Sequence, residues 1–245
     1  MKHTLVTLLA LTGLTFAETS GKLALQPVPR DAGWMERHES FNEISKKGEA
    51  QLVFLGDSIT QGWEGNGKAV WAKTWAPMKA ANFGIGGDRT EHVLWRLQNG
   101  NFDGLKPKVI VLMIGTNNTG HQGRPMQEHN NAIYSSPPED TAAGVKAILE
   151  LLGKKMPETK VLLLAIFPRG ANADDKMRQQ NVTTNQLIAG LADGKRVHFK
   201  DIGNSFLKPD GTLPKEIMPD LLHLNAQGYQ LWTDAIEPTV KELMK

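Results

Sequence analysis

Leu52-Val53-Phe54-Leu55-Gly56-Asp57-Ser58-Ile59-Thr60 is the stretch on which the reading of this 245-residue chain turns. Leu52 to Leu55 form a short unbroken apolar run, the pattern of a parallel strand covered on both faces. The run stops at Gly56-Asp57-Ser58, a cluster of turn formers, and Gln61-Gly62-Trp63 follows. A serine on a tight turn at the carboxyl end of a buried strand stands where open α/β sheets keep their chemistry. The same serine would serve equally well as a simple helix cap. The rest of the chain decides between the two.

Outward from this stretch, apolar runs alternate with amphipathic segments. Trp34 to Lys46 reads as a helix ahead of the first strand, with Trp34, Met35, Phe41 and Ile44 as its apolar positions. Ala69 to Lys79 reads as a helix that Pro77 should end. Ala80 to Phe83 is a short strand before the glycine turn Gly84-Ile85-Gly86-Gly87-Asp88, and Thr90 to Gln98 is a helix. Val109 to Ile114 is the strongest strand and ends in Gly115-Thr116-Asn117-Asn118. Residues 119 to 139 lack periodicity and read as a long loop. Helix 141–152, strand 160–167, helix 174–191, strand 197–202 and helix 225–244 follow, with Pro238 implying a kink or break in the last.

Strand and helix thus alternate about five times, which predicts an α/β fold: a three-layer α/β/α sandwich with a five-stranded, mostly parallel sheet. Right-handed crossovers place successive strand ends on one edge of such a sheet. Ser58, Gly87 and Asn117 each follow a strand end, so the topology sends all three to one crevice.

Composition and charge narrow the function classes. Hydrophobic residues make up 40% and charged residues 22% of the chain, and the net charge is +2, which leaves no electrostatic footprint for nucleic acid. There is no cysteine, hence no disulfide, no thiol nucleophile and no lipidated cysteine. The first seventeen residues stand apart: Met1-Lys2-His3 is basic, Thr4 to Phe16 is almost wholly apolar or small, and Thr15-Phe16-Ala17 has the small-x-small form of a cleavage site. An apolar core this short fits a secretory signal better than a spanning helix. The expected division is therefore a signal peptide over 1–17 cut after Ala17, an extended leader over 18–30, and one catalytic domain over 31–245. The mature protein is expected to be secreted or periplasmic and to carry no membrane anchor.

Acyl transfer by serine needs a base, an orienter for the base, and donors aimed at the oxyanion. The backbone N–H of Ser58, the N–H of Gly87 and the side-chain amide of Asn117 are candidate donors. Seven histidines compete for the role of base. His3 falls in the signal, His38 and His92 in helices, His198 in a strand, and His121 and His129 in the long loop. His223 lies between the last strand and the last helix, three residues after Asp220, so one turn brings carboxylate and imidazole together. An isolated Asp-x-x-His is also ordinary surface turn chemistry. His121 and His129 do not share a helical face and give no metal-ligand spacing.

Gly56-Asp57-Ser58-Ile59, Gly86-Gly87-Asp88, Gly115-Thr116-Asn117-Asn118 and Asp220-x-x-His223 together resemble the four ordered blocks of the SGNH (GDSL) hydrolase family. Asn82 to Asp88, His92 to Leu97 and Pro168-Arg169-Gly170 are similar to the variant found in catalytic α subunits of brain-type platelet-activating-factor acetylhydrolase. The likeness runs from about residue 48 to the C-terminus. It implies the flavodoxin-like SGNH hydrolase fold, with Ser58 as nucleophile, His223 as general base and then acid, Asp220 orienting the imidazole, and Ser58, Gly87 and Asn117 forming the oxyanion hole. It implies no metal and no cofactor. Asp57 would fix the turn. An insertion over 121–140 and the signal peptide depart from the acetylhydrolase subunits, and both argue against a phospholipid substrate.

The expected activity is hydrolysis of short acyl esters, acetyl foremost, on a carbohydrate; acetyl-ester hydrolysis on lipid, or broad short-chain esterase or thioesterase activity, is the alternative. The partner would be a small-molecule or glycan ester, with no nucleic acid, and the oligomeric state is left open. Trp63, Trp71 and Trp75 either stack on a sugar or belong to the core. Arg89 and Arg169 either touch substrate or brace loops. A dinucleotide-binding protein is excluded by the spacing of Gly84-Ile85-Gly86-Gly87-Asp88 and by the lack of a phosphate-cradling lysine motif.

Overall fold

The computed structural model describes residues 22–245, so the expected signal peptide with its cut after Ala17 and the first part of the leader lie outside the described residues. The five apolar runs form one sheet: β1 (Leu52–Gly56), β2 (Ala80–Gly84), β3 (Val109–Met113), β6 (Lys160–Leu164) and β7 (Val197–Lys200). The order is β2-β1-β3-β6-β7 and every ladder in it is parallel. The chain starts at β1, steps outward to β2, then returns past β1 to β3. The crevice between β1 and β3 is therefore the point at which the strand order reverses, where ligands bind in sheets of this kind. Ser58 follows β1 and Asn117 follows β3.

Alternate residues of each strand face opposite sides of the sheet, and each side has its own core. Val53, Leu55, Ile110, Leu112, Val161 and Leu163 pack under α1 (Ala32–Lys47), α4 (Thr90–Gln98), α6 (Pro138–Lys155) and α7 (Lys176–Ala189). Leu52, Phe54, Val109, Val111, Leu162 and Leu164 pack under α8 (Ala226–Leu243) and the segment 62–78. With β1 and β3 buried along their whole length, an unbroken apolar run is the only pattern that satisfies both faces.

Three expectations are corrected. Residues 68–78 are not one helix but α3 (Lys68–Val70), a π turn over Trp71–Trp75 and a 3-10 turn over Ala76–Met78. Packing sets this winding: Trp63, Trp71 and Trp75 converge on Phe54 with ring centroids 5.8, 5.2 and 5.1 Å away. Residues 121–137 are not a plain loop. After α5 (Thr116–Gly120) they form a small antiparallel ribbon, β4 (Pro125–Met126) and β5 (Ala132–Ile133), reversed through Asn130 and Asn131 in the left-handed region. The described part of the leader is not extended throughout. Leu23–Leu25 make a 3-10 turn, Ala24 is buried, and its carbonyl accepts from Thr90 Oγ1 at 2.9 Å. Pro238 lies inside α8 without ending it. None of the described helices is long and apolar enough to cross a membrane.

Gly56 closes β1 where nothing larger fits, since a Cβ there would lie 2.3 Å from Thr60 Oγ1 and 2.4 Å from the Met113 carbonyl oxygen. Gly56→Ala is expected to cost about 1–3 kcal/mol, the usual scale of overpacking, and to displace the turn that bears Ser58. Urea unfolding together with esterase assay checks this; unchanged stability and activity would contradict it.

Candidate active site

The turn after β1 leads directly into α2 (Ser58–Gln61), with Asp57 as its cap: an Asp57 carboxylate oxygen accepts from the Ile59 N–H at 3.0 Å. Ser58 is thereby the first residue of the helix, with its hydroxyl at the sheet edge. Ser58 Oγ lies 2.9 Å from His223 Nε2, across 165 residues of sequence. On the far side of the ring, His223 Nδ1 is 2.6 Å from Asp220 Oδ2. Asp220 Oδ1 accepts from the backbone N–H groups of His223 at 2.7 Å and Leu222 at 3.1 Å. The carboxylate thus grips the turn as well as the imidazole, and Leu221 takes a left-handed φ of 61° to allow it. Partial burial pushes the Asp220 carboxyl upward, but the hydrogen bonds from the His223 side chain and backbone outweigh it and hold the group below its usual range. Asn225 then caps α8 through Gly228 N–H at 3.0 Å, which seats the turn.

The candidate donors come from the neighbouring strands. Gly86 packs beside the serine, so that a Cβ on it would sit 3.7 Å from Ser58 Cβ. Gly87 follows with φ +79°. Asn117 Nδ2 donates to the Asp88 carbonyl at 2.9 Å, which leaves its second amide hydrogen available and ties the β3 turn to the β2 turn. The structure therefore brings Ser58, Gly87, Asn117, Asp220 and His223 to one place. The remaining described histidines go elsewhere. His38 and His92 are buried, His121 Nδ1 accepts from Arg89 at 2.7 Å, His129 packs by Glu91 and Tyr134, and His198 bonds the Lys195 carbonyl. Among the described residues no three His, Cys, Asp or Glu side chains are grouped as a metal-ion donor set.

Residues 54–231 match the GDSL-like lipase/acylhydrolase family. The chain belongs to that family. It is a serine esterase of the GDSL type. The human platelet-activating factor acetylhydrolase IB subunit alpha1 is 38% identical over 206 residues, which cover 84% of this chain and 81% of the relative. Among solved structures, a GDSL-like lipase from Bacteroides thetaiotaomicron superposes with a TM-score of 0.66 at 19% identity, over 84% of this chain and 97% of the other. An acetylxylan esterase from Geobacillus stearothermophilus does so with a TM-score of 0.60 at 18% identity, over 81% and 96%. These two share the fold.

In this GDSL-type chain the open choices at the tryptophans and arginines resolve toward structure. Trp63 is 1% exposed and lies in the aromatic core. Arg89 is equally buried and is held by Glu91, Glu128 and His121 beneath the Tyr134 ring, so it braces the 121–137 ribbon. Arg169 donates to the Thr116 carbonyl at 2.9 Å and supports the turn that carries Asn117. Asp88 lies inside the Gly86-Gly87-Asp88 block, but the residues that hold this turn gave no sequence signal of that role. Asp88 is fully buried and accepts from Trp34 Nε1 and Arg96 Nη1, both at 2.6 Å. Gln61 Oε1 accepts from the Gly86 N–H at 2.7 Å, and Arg30 Nη1 donates to the Gly86 carbonyl at 2.7 Å. Arg30, Gln61 and Arg96 are polar residues far from one another in sequence, and only the turn they share relates them.

Asp57 is itself fully buried, and its Oδ2 has no hydrogen-bond partner among the described residues. Burial pushes its carboxyl up from 3.8 to about 7, with the Asp88 charge assisting and the Ile59 N–H and Arg169 opposing. A carboxyl whose folded pKa is raised stabilises the fold fully below its unfolded pKa and loses that contribution as pH rises through the folded one. Asp57→Asn keeps the cap and removes the titration. Its urea midpoint relative to the wild type is expected to rise as pH goes from about 4 to about 8; a difference that stays flat would contradict the assignment.

Proposed function

We propose that the protein removes short acyl groups, acetyl foremost, from carbohydrate esters outside the cytoplasm, through an acyl-enzyme on Ser58. The observation that carries the chemistry is the continuous path Ser58 Oγ–His223 Nε2–His223 Nδ1–Asp220 Oδ2, with links of 2.9 and 2.6 Å. His223 takes the Ser58 proton as the oxygen attacks the ester carbonyl. The oxyanion that forms is held by the N–H groups of Ser58 and Gly87 and the free amide hydrogen of Asn117. His223 then gives the proton to the departing alcohol, and water repeats the cycle on the acyl-enzyme. Asp220 keeps the ring in the tautomer that presents Nε2 as acceptor.

Support for an acetyl group comes from relatives of two kinds, named as an acetylhydrolase and as an acetylxylan esterase. Support for a carbohydrate leaving group comes from the cavity of about 590 Å³ that shares Arg30 with the Gly86–Gly87 turn. Arg124, His121 and Gln127 line it together with Val28, Pro29 and Met126, a mixed wall that offers hydrogen-bonding partners to hydroxyls beside apolar surface. The relatives named for platelet-activating factor favour a second reading, an acetyl ester on lipid. Export is supported by the basic, apolar, small-x-small order of residues 1–17.

Acetate release from acetylated glycans and from short-acyl lipids, with Ser58→Ala as control, tests the assignment. Release from glycans is expected, and Ser58→Ala is expected to abolish it; release from lipid alone would overturn the substrate class, and an active Ser58→Ala the nucleophile. Asn117→Ala is expected to lower kcat about 100- to 1,000-fold, the usual effect of losing one oxyanion donor. Exported protein is expected to begin at Glu18, as read by intact mass; material beginning at Met1 would refute the cleavage.

A further inference from the structure

We propose that Arg30, from the segment ahead of α1, is the positioning residue of the oxyanion hole: it selects the orientation of the Gly86–Gly87 peptide that presents the Gly87 N–H to the oxyanion. This rests on Ser58 being the nucleophile. Ile85 to Asp88 form a β-turn closed by the Asp88 N–H to the Ile85 carbonyl at 3.1 Å. Its second central residue, Gly87, has φ +79°, while the first, Gly86, is not in the positive region. That combination is a type II turn. Its type I counterpart differs mainly by a half-rotation of the central peptide, and Gly86-Gly87, with no Cβ on either residue, imposes little preference between the two.

The choice matters because the central peptide carries the proposed donor. In a trans peptide, C=O and N–H point opposite ways. With the Gly86 carbonyl turned outward, the Gly87 N–H turns inward and makes no hydrogen bond among the described residues. A half-rotation would aim the carbonyl dipole at the developing oxyanion instead. Arg30 sets the orientation by holding the central peptide itself: its Nη1 donates to the Gly86 carbonyl at 2.7 Å. Gln61 Oε1, from the helix that begins with Ser58, accepts from the Gly86 N–H of the preceding peptide at 2.7 Å and anchors the turn beside the serine.

Arg30 fills the space beside the turn, since a Cβ on Gly87 would lie 2.9 Å from its Nη1. The arginine is itself held. Asp31 next to it caps α1 through the Trp34 N–H, and the buried Asp88 carboxylate lies 3.8 Å from its guanidinium. A charged donor on the carbonyl also polarises the peptide and strengthens the N–H at its other end. Through Arg30 the residues before α1, outside the span matched by the family, become part of the hole.

The experiment is steady-state hydrolysis of p-nitrophenyl acetate by the full chain, with inhibition by a boronic acid that forms a tetrahedral adduct on the serine. Arg30→Met is expected to lower kcat about 10- to 100-fold, short of the loss of a whole donor, with KM within about twofold. Boronate affinity is expected to fall in parallel with kcat/KM. Arg30→Lys, whose amine reaches the same carbonyl, is expected to recover most of the rate at an unchanged urea midpoint. Unchanged kcat in Arg30→Met would overturn the proposal, as would a raised KM at intact kcat, which marks a substrate contact. Equal losses in both variants together with lost stability would reduce Arg30 to a structural prop. Ser58→Ala run alongside separates these outcomes from failure of the nucleophile assignment, which an active Ser58→Ala alone would show.

Discussion

The ion pair between Asp88 and Arg96, both fully buried, holds the site's geometry together. Two charges out of water are tolerable only when each is paired and its remaining hydrogen-bonding capacity is filled. Here one Asp88 oxygen takes Arg96 and the other Trp34, while Arg96 spends its other nitrogens on the Phe83 carbonyl at 2.7 Å and Asn101 Oδ1 at 3.0 Å. The pair therefore binds the end of β2, the turn after it, α4 and α1 into one unit. The Asp88 carbonyl adds the β3 turn through Asn117. The energetic demand of a buried carboxylate fixes the backbone on which the proposed donors sit.

A second ionic knot performs a similar service further out. Arg89, one residue along, gathers Glu91, Glu128, His121 and the Tyr134 ring, and so presses the β4–β5 ribbon against the start of α4. Burial together with the positive charges of Arg89 and Arg124 pushes His121 down to about 4, leaving it a neutral acceptor for the guanidinium. Adjacent residues thus divide the work. Asp88 organises the turn beneath the proposed oxyanion hole, and Arg89 organises the wall beside it.

How much of this was legible beforehand follows from the range of each interaction. β1 and β3 were plain because burial on both faces demands an unbroken apolar run. The positions of Ser58, Gly87 and Asn117 were plain because strand ends of a parallel sheet share an edge. His223 was reachable because its orienter Asp220 lies within one turn. Asp88 stood inside a recognisable block, yet its partner Arg96 read as one more polar residue in an amphipathic helix. Arg30 read as part of a leader. The tryptophans were ambiguous because an aromatic suits a core and a sugar platform equally, and Phe54 decides between them only once the chain is folded. The ribbon at 125–133 was missed because two-residue strands have no period to detect, and Arg89, which holds it in place, lies more than thirty residues earlier in the chain.

The span between Ser58 and His223 gives the hydroxyl–imidazole contact a further meaning. The serine comes from the first strand and the histidine from the loop before the last helix, and the Tyr229 hydroxyl, from that helix, fastens the two ends by donating to the Ile59 carbonyl at 2.7 Å. The two partners meet only when the turn after β1 and the segment ahead of α8 are packed together. An opening of that packing keeps both side chains and parts the hydroxyl from the imidazole. Turnover by this chain is therefore a census of the cooperatively closed native state, in which sub-global openings too slight to register in overall helix content are counted as silence.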